Sequence, residues 1–560
     1  MIVHGEDLTP DSPAVRWAHR KPLHALLLIA LGLGLYLPGL NWGLPGTVSW
    51  SQDTVAGMRT VLAMHGWPQR WVGRYPPLQF MLNAALYKPV YATWEAEGRL
   101  VTDARYGFAV PAPPQAEPIG KLVRLSRLLT VAMACGTGIG LWLAARRLTG
   151  HPWAALLAAA AFMIGADFVY FAHLGNVDVP SMFWFAWSLY AFARALRSSS
   201  GANCALLGCL AALAVCTKDG VAGAYPGMAL ALILADVYRR RLVAANTDPD
   251  AAEPGFAASL LQARWLIGLA AFALPFLYIN GLFHTAEPFM NRLKHWSAET
   301  GTIHSLQQRY DNPLALAWMS IRYAASATGW PMVAALAAAT VHAIRRHPRL
   351  AMHLLLPVAS YYLLVIQWML GFVYARFLFP ILAMLAVLLG VAAVDWWRAM
   401  QRRPAVRVLV PLAVALPTIG YALWVNIELT RDTRYEAEAW FAEHAPAPAD
   451  VGVFVDKFQY LPRLPDLGYR IAVLAMTRET FARPAPPYLV LSSYDYHEYD
   501  ADRAACLDEL VDGRLGFEVV AVFSRSRWGD SWSWLAAPAI GVERPGKISP
   551  TILVLQQSGG

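Results

Sequence analysis

Along most of the chain the hydrophobic positions fall in blocks near twenty residues long, separated by short polar or basic segments. A helix rises ~1.5 Å per residue, so a block of this length can cross a hydrocarbon core of about 30 Å. Eleven such blocks are read as spanning helices, near 22–40, 122–145, 152–171, 179–196, 203–218, 221–238, 264–283, 314–344, 351–370, 373–394 and 406–426. Beyond residue 430 the pattern shortens. The runs 451–455, 471–474, 488–491, 517–523 and 551–555 are strand-like, with helical stretches near 434–444 and 502–511, which predicts a small α/β domain.

Composition sharpens this division. The chain has 560 residues, of which 57% are hydrophobic and only 15% charged, against roughly 25% charged in soluble domains. Residues 431–560 hold 13 basic and 18 acidic side chains, whereas the first 430 hold 33 and 20. The expectation is therefore an α-helical polytopic membrane protein with a C-terminal soluble α/β domain. Its divisions are a cytoplasmic N-terminus over 1–21, a transmembrane domain over 22–428 and an external domain over 429–560.

The net charge of +8 comes from clusters between apolar blocks, which excludes a nucleic-acid footprint. Arg16/Arg20/Lys21, Arg146/Arg147, Arg194/Arg197, Arg239/Arg240/Arg241, Arg345/Arg346 and Arg398/Arg402/Arg403/Arg407 all fall on one side if the count is odd. That puts the N-terminus inside and the tail outside. The segment 75–94 is interrupted by Asn83, Lys88 and Pro89 and reads as an interfacial helix, within a long external loop over 41–121. Residues 242–262 form an internal linker and 284–313 a second external loop. The five cysteines show no zinc spacing, and the tail's single Cys506 cannot close an internal disulfide.

Candidate chemistry gathers on the external side. Asp53 follows the first span, where a carboxylate can meet both a lipid-borne substrate and a polar acceptor; a helix N-cap is the alternative. His173, Asn176 and Asp178 crowd a connection too short to leave the membrane surface, where ionisable groups are expensive and often functional. Capping also accounts for Asp178, since Pro180 suits a first helical turn. Lys218 and Asp219 form either a mutually neutralised pair or an anion site with Lys218 facing a phosphate. Arg376 and Arg74 are two further external cations, so three cations beside two carboxylates suit an anionic, lipid-linked substrate. His284, His295 and His304 match no metal spacing.

These features together resemble a known family. An acid past the first span (Asp53), a basic-x-Pro-Pro-Leu surface helix (Arg74, Pro76, Pro77, Leu78), Arg127 in the second span, Asn176-x-Asp178, Thr217-Lys218 and the run from Ala375 to Pro380 are similar to the GT-C glycosyltransferases. The group that they most resemble is the polyprenyl-phosphate-dependent one containing protein O-mannosyltransferases and lipid A aminoarabinose transferases. The resemblance implies a GT-C-like fold that transfers sugar from a polyprenyl-phosphate donor to a lipid, glycan or protein acceptor. The donor phosphate would lie among Arg74, Lys218 and Arg376, with Asp53 as general base and Asp178 as orienting group. His173 and Asn176 belong to the same binding region. A divalent metal held partly by Asp178 stays open, as does a multi-span transporter or flippase of an anionic substrate. The setting implied is a bacterial inner membrane, with the site facing the periplasm or exterior.

Overall fold

A computed structural model describes residues 21–51, 53–69, 71, 74–103, 107–247, 262–298, 310, 312–454, 458–481, 485–493, 501–525 and 548–558. Much of the 1–21 N-terminus, the 242–262 linker and the 284–313 loop, including His304, lies outside the described residues. The first apolar block forms α1 (Lys21–Tyr36). The long loop after it holds α2 (Met58–Gly66), α3 (Leu78–Ala96) and an antiparallel hairpin of β1 (Leu100–Asp103) and β2 (Phe108–Pro111). α3 matches the helix expected over 75–94, and the hairpin is new.

The body continues with α4 (Ala116–Thr149), α5 (Pro152–Met163), α6 (Ala166–Ala172), α7 (Asp178–Arg197) and α8 (Gly201–Val215). A 3₁₀ turn, Asp219–Ala224, leads into α9 (Tyr225–Thr247), followed by α10 (Ala263–Ile279) and α11 (Glu287–Ala298). Then come α12 (Pro313–Thr328), α13 (Trp330–Arg346) and α14 (Pro348–Tyr361), the last prolonged as a π-helix over Tyr362–Leu370. A short turn, Ala375–Leu378, precedes α15 (Phe379–Ala399) and α16 (Pro404–Thr430).

All eleven blocks are helical, but the count of spans differs from the expectation. Among the described residues five helices are long and apolar enough to cross a membrane, or up to seven if each bent pair is one span. The block 314–344 is not one straight span: α12 and α13 meet at 117°. Gly329 takes φ 86°, a left-handed conformation that favours glycine, and Pro331 restarts the helix in its first turn. The block 152–171 breaks likewise, by 68°, between α5 and α6.

Packing is that of a membrane body. Leu266, Leu269, Leu274, Leu409 and Leu416 are exposed on α10 and α16, an apolar surface suited to lipid. Inside, small residues let backbones approach closely. A Cβ added at Gly208 would meet the Gly268 carbonyl at 2.1 Å, and one at Gly390 the Ala154 carbonyl at 2.1 Å.

The basic clusters collect at one end of the bundle. Arg197 donates to the Arg147 carbonyl, Arg239 to the Leu196 carbonyl, and Arg349 to the Tyr238 hydroxyl. The opposite end carries the long loop and the tail.

The tail begins without a linker. α17 (Thr433–His444) follows α16 directly, and β3 (Asp450–Val453), β4 (Arg470–Val473), α18 (Arg478–Phe481), β5 (Tyr488–Ser492), α19 (Ala501–Val511), β6 (Phe517–Phe523) and β7 (Ile552–Gln557) complete it. The sheet order is β4-β3-β5-β7-β6, with β3 parallel to both neighbours and β7 antiparallel to both of its own. The expected C-terminal α/β fold is thus observed.

One buried carboxylate joins tail to body. Asp432 caps α17 through the Arg434 amide, pairs with the Arg434 guanidinium at 2.7 Å, and accepts from Trp42 Nε1 at 2.9 Å and the Ser549 amide at 2.9 Å. Arg434 stacks over Trp50, its guanidinium carbon 3.9 Å from the ring centre. Burial would raise the Asp432 carboxyl, but Arg434 and these donors hold it below the usual range. Asp432→Ala takes the carboxylate away from the buried Arg434 guanidinium, which costs about 3–5 kcal/mol. The expected outcome is a body that still inserts but a tail cleaved readily by protease in detergent, whereas Asp450→Ala, in an exposed pair with Arg470, should behave as wild type.

Candidate active site

Two chain segments far apart in sequence form the floor of the site. Residues 53–56 lie against the 173–178 connection, where the Gly175 carbonyl accepts from the Val55 amide at 2.7 Å and the Thr54 hydroxyl at 3.1 Å. The start of α3 is tied to the end of α8 by the Leu78 amide donating to the Cys216 carbonyl at 3.1 Å. These backbone bonds bring together the loops carrying Asp53, Asp178, Tyr75 and Lys218.

Two acid–cation pairs result. Arg376 Nη1 donates to Asp53 Oδ2 at 2.5 Å, and Lys218 Nζ donates to Asp178 Oδ1. The Asp53 side chain is 27% exposed and the Asp178 side chain 2%, so Asp53 is open to a ligand and Asp178 is buried. Neither acid is a helix cap. α2 begins well after Asp53 with Gly57 as its cap, and Asp178 is already inside the first turn of α7, where the helix dipole favours a negative charge. Asn176 fixes it, donating from Nδ2 to Asp178 Oδ2 at 2.8 Å and accepting from the Asp178 amide at 3.2 Å.

The pairs act on each other. Asp178, Arg376 and Asp53 all lie in electrostatic reach of the Lys218 ammonium. Aromatic faces surround the cations. Arg376 lies over Tyr374, Phe171 and Phe377 at 5.2, 5.6 and 5.7 Å, and Lys218 lies over Phe377 at 4.7 Å. The phenol of Tyr75 completes the group. Burial drives it well above the usual tyrosine range, with Asp53 and Asp178 adding to the shift and Arg376 and Arg74 opposing it, so it stays a neutral O–H donor near the cluster. Arg74 itself is exposed at the rim.

Other expected residues have different positions. His173 directs both ring nitrogens at backbone carbonyls, Val169 at 2.7 Å and Pro38 at 2.5 Å, and so ties α6 to the loop after α1. Arg127 is buried and holds the Leu40 and Trp42 carbonyls at 2.7 Å each. Lys218 and Asp219 do not neutralise one another: Asp219 instead takes a two-pronged contact from Arg292 at 3.0 and 3.3 Å, while Arg292 also donates to Asn280 at 2.6 Å. The backbone between them turns from extended into the 3₁₀ helix, sending the two side chains to different neighbours.

Sequence reasoning missed Tyr75 and the aromatic box of Phe171, Tyr374 and Phe377. The adjacent Pro76-Pro77 and Arg376 were the available signals, because each of these aromatics lies within a few residues of a motif or in the connection leading to Asp178.

Gly175 offers a direct check of the floor. A Cβ there would sit 2.6 Å from the Ala56 Cβ, so Gly175→Ala must spread the two loops at a cost of about 1–3 kcal/mol. A lower thermal midpoint in detergent is expected, whereas Gly34→Ala, with open space at its Cβ, should be neutral or stabilising. Equal midpoints for the two variants would contradict the close approach.

Residues 119–247 match the family model described as dolichyl-phosphate-mannose-protein mannosyltransferase. That stretch includes Arg127, Asn176, Asp178 and Lys218 of the motifs above, and leaves out Asp53 and Arg376. No curated protein sequence matches the chain. Among solved structures it is similar to the oligosaccharyltransferase AglB of Archaeoglobus fulgidus in complex with an inhibitory peptide and a dolichol-phosphate. That likeness has 12% identity and a TM-score of 0.47, over 97% of this chain and 88% of that one. ArnT of Cupriavidus metallidurans bound to undecaprenyl phosphate is similar at 14% identity and a TM-score of 0.42, over 94% and 97%. The Pmt1-Pmt2 protein O-mannosyltransferase complex of S. cerevisiae, bound to its sugar donor, is similar at 17% identity and a TM-score of 0.33, over 47% and 34%. These are distant likenesses in overall shape, whereas the family description over 119–247 is a match of sequence and agrees with the resemblance drawn from the motifs.

Proposed function

We propose that this chain is an integral membrane glycosyltransferase that moves a sugar from a polyprenyl-phosphate donor to an acceptor at the face bearing the tail. The observation that carries the proposal is the pairing of Asp53 with Arg376 beside that of Asp178 with Lys218, two acids and two cations in electrostatic reach of each other. The family description over 119–247, a mannosyltransferase using a dolichyl-phosphate sugar, agrees in donor class.

The chemistry follows from exchange of partners. The donor phosphodiester, a monoanion, entering the open side competes with Asp53 for Arg376, whose planar fork suits phosphate oxygens. Lys218 adds positive potential beneath it, and the Tyr75 hydroxyl is a neutral donor beside it. As Arg376 turns to phosphate, Asp53 loses its counter-ion and becomes able to accept a proton. The acceptor hydroxyl gives that proton to Asp53 while its oxygen attacks the anomeric carbon from the face opposite the phosphate. The bond from anomeric carbon to phosphate oxygen breaks, polyprenyl phosphate leaves with its charge on Arg376 and Lys218, and the sugar is inverted. Asp178, held by Asn176, fixes Lys218 in place.

A divalent metal does not fit this cluster. Both carboxylates are engaged by cations, and among the described residues the one set of three convergent metal-type ligands lies elsewhere, at His342, His347 and Asp395. A transporter would need its charges near the middle of the bundle, whereas these lie in loops and helix ends gathered in one cluster. The reading extends to a bacterial inner membrane with the site facing the periplasm or exterior, the transmembrane domain running over 22–428 and the tail over 429–560. The acceptor class, lipid, glycan or protein, is the open choice.

The test is a membrane assay with a polyprenyl-phosphate sugar that follows released polyprenyl phosphate and labelled acceptor together. Asp53→Asn keeps the shape but cannot take a proton at neutral pH, so transfer should fall about 10²–10⁴-fold in a protein that remains inserted. Asp178→Asn should lose less. Transfer by Asp53→Asn near the wild-type rate, with Asp178→Asn inactive, would assign the base to Asp178; full activity in both would remove the catalytic reading.

A further inference from the structure

At the opposite end of the bundle a second polar constellation lies outside the proposed mechanism. His342 stands near the end of α13, His347 in the corner between α13 and α14, and Asp395 near the end of α15. Both rings aim Nε2 at a single oxygen, Asp395 Oδ2, at 2.9 and 2.8 Å. The three ligand atoms all lie within 4.8 Å of one another. All three side chains are partly exposed, at 35%, 24% and 29%, so the cluster opens to solvent on one side. Asp395 is roughly nineteen residues beyond Arg376, about 28 Å at the helical rise, so this cluster is a bilayer's thickness from the proposed active site.

The geometry points to a binding site for a divalent transition-metal ion held by His342 Nε2, His347 Nε2 and a carboxylate oxygen of Asp395. Two imidazoles and one carboxylate are a donor set that suits zinc and its first-row neighbours. In a tetrahedral shell with bonds of ~2.0–2.1 Å, neighbouring ligand atoms stand roughly 3.3 Å apart. The two nitrogen–oxygen separations therefore need to widen by about half an ångström, while the two nitrogens, within 4.8 Å of one another, adjust to the same spacing by rotation of the rings. The fourth position faces the open side and is left to water. Binding requires each Nε2 to give up its proton, either by a shift of the remaining proton to Nδ1 or by release to solvent.

The surroundings set the terms of binding. Asp395 supplies the one negative charge, while Arg398 lies near it, Arg345 and Arg346 occupy the same turn as His342, and His151 is in electrostatic reach of both Asp395 and Arg398. His151 uses Nδ1 to cap α5. So cationic a rim disfavours hard ions such as calcium and magnesium, which need several anionic oxygens, and favours an ion bound largely by nitrogen. The consequence is mechanical. The three residues come from the α13–α14 corner and from α15, so a bound ion would staple that corner to the helix whose other end begins at Arg376.

The test uses the full chain purified in detergent, stripped with chelator and titrated with Zn²⁺ alone. Bound metal is counted by elemental analysis after desalting, and the thermal midpoint is recorded with and without Zn²⁺. The wild type should retain about one equivalent and gain stability. Asp395→Asn, which keeps shape and hydrogen bonding, and His347→Gln should each lower affinity at least 10–100-fold and lose the thermal gain. A wild type that retains no stoichiometric zinc would make the cluster a hydrogen-bonded clamp only. Equal retention in the wild type and both variants would place the ion on other histidines and overturn the site.

Discussion

The site depends on one long-range ion pair. Asp53 and Arg376 are 323 residues apart, and their contact joins the loop after the first helix to the turn that opens α15. Each charge alone would be costly beside hydrocarbon, and together they are tolerated. The pair is also what makes the site responsive. On the proposed reading, a carboxylate held by an arginine is a poor base and an arginine held by a carboxylate is a poor phosphate ligand, so the resting pair would keep both functions silent until an anion separated them.

The remaining structure holds that pair at a fixed depth. Gly175 allows the 53–56 segment to lie on the Asp178 loop, Asn176 fixes the Asp178 carboxylate, and Asp178 fixes Lys218. Arg127 and His173, both charged or titratable types in a crowded apolar region, serve the same end by gripping backbone carbonyls of the segment after α1. The tail grips that segment from the other side, with Trp42 bonded to Asp432, Gly43 to the Tyr435 hydroxyl and Thr47 to Asp466. The segment leading to Asp53 is thus clamped between bundle and tail, and the tail is part of the frame of the site.

The sequence made the class of fold readable because hydrophobic block length and strand alternation are local signals. All five tail strands and the loop helix α3 follow from them. Asp53, Asp178, Lys218 and Arg376 were also legible as polar groups where polarity is costly. Their pairing was not, since Lys218 beside Asp219 in sequence gives no sign that the 3₁₀ turn sends one to Asp178 and the other to Arg292. The bend at Gly329 was hidden by continuous hydrophobicity through 314–344, in which only Gly329 and Pro331 hinted at a break. Polarity alone also overstated His173, because a buried histidine that bonds two carbonyls has the same local sequence signal as one that awaits a ligand.

The central claim is that Asp53 and a carrier phosphate compete for Arg376. It is tested most directly by the affinity of the purified chain for polyprenyl phosphate without sugar, measured for the wild type, Asp53→Asn and Arg376→Ala. Competition predicts that Asp53→Asn binds the lipid phosphate more tightly than the wild type, because the rival anion has been removed, and that Arg376→Ala binds it more weakly. If Asp53→Asn binds with unchanged or lower affinity, the pair is a structural clamp and the exchange of partners does not occur.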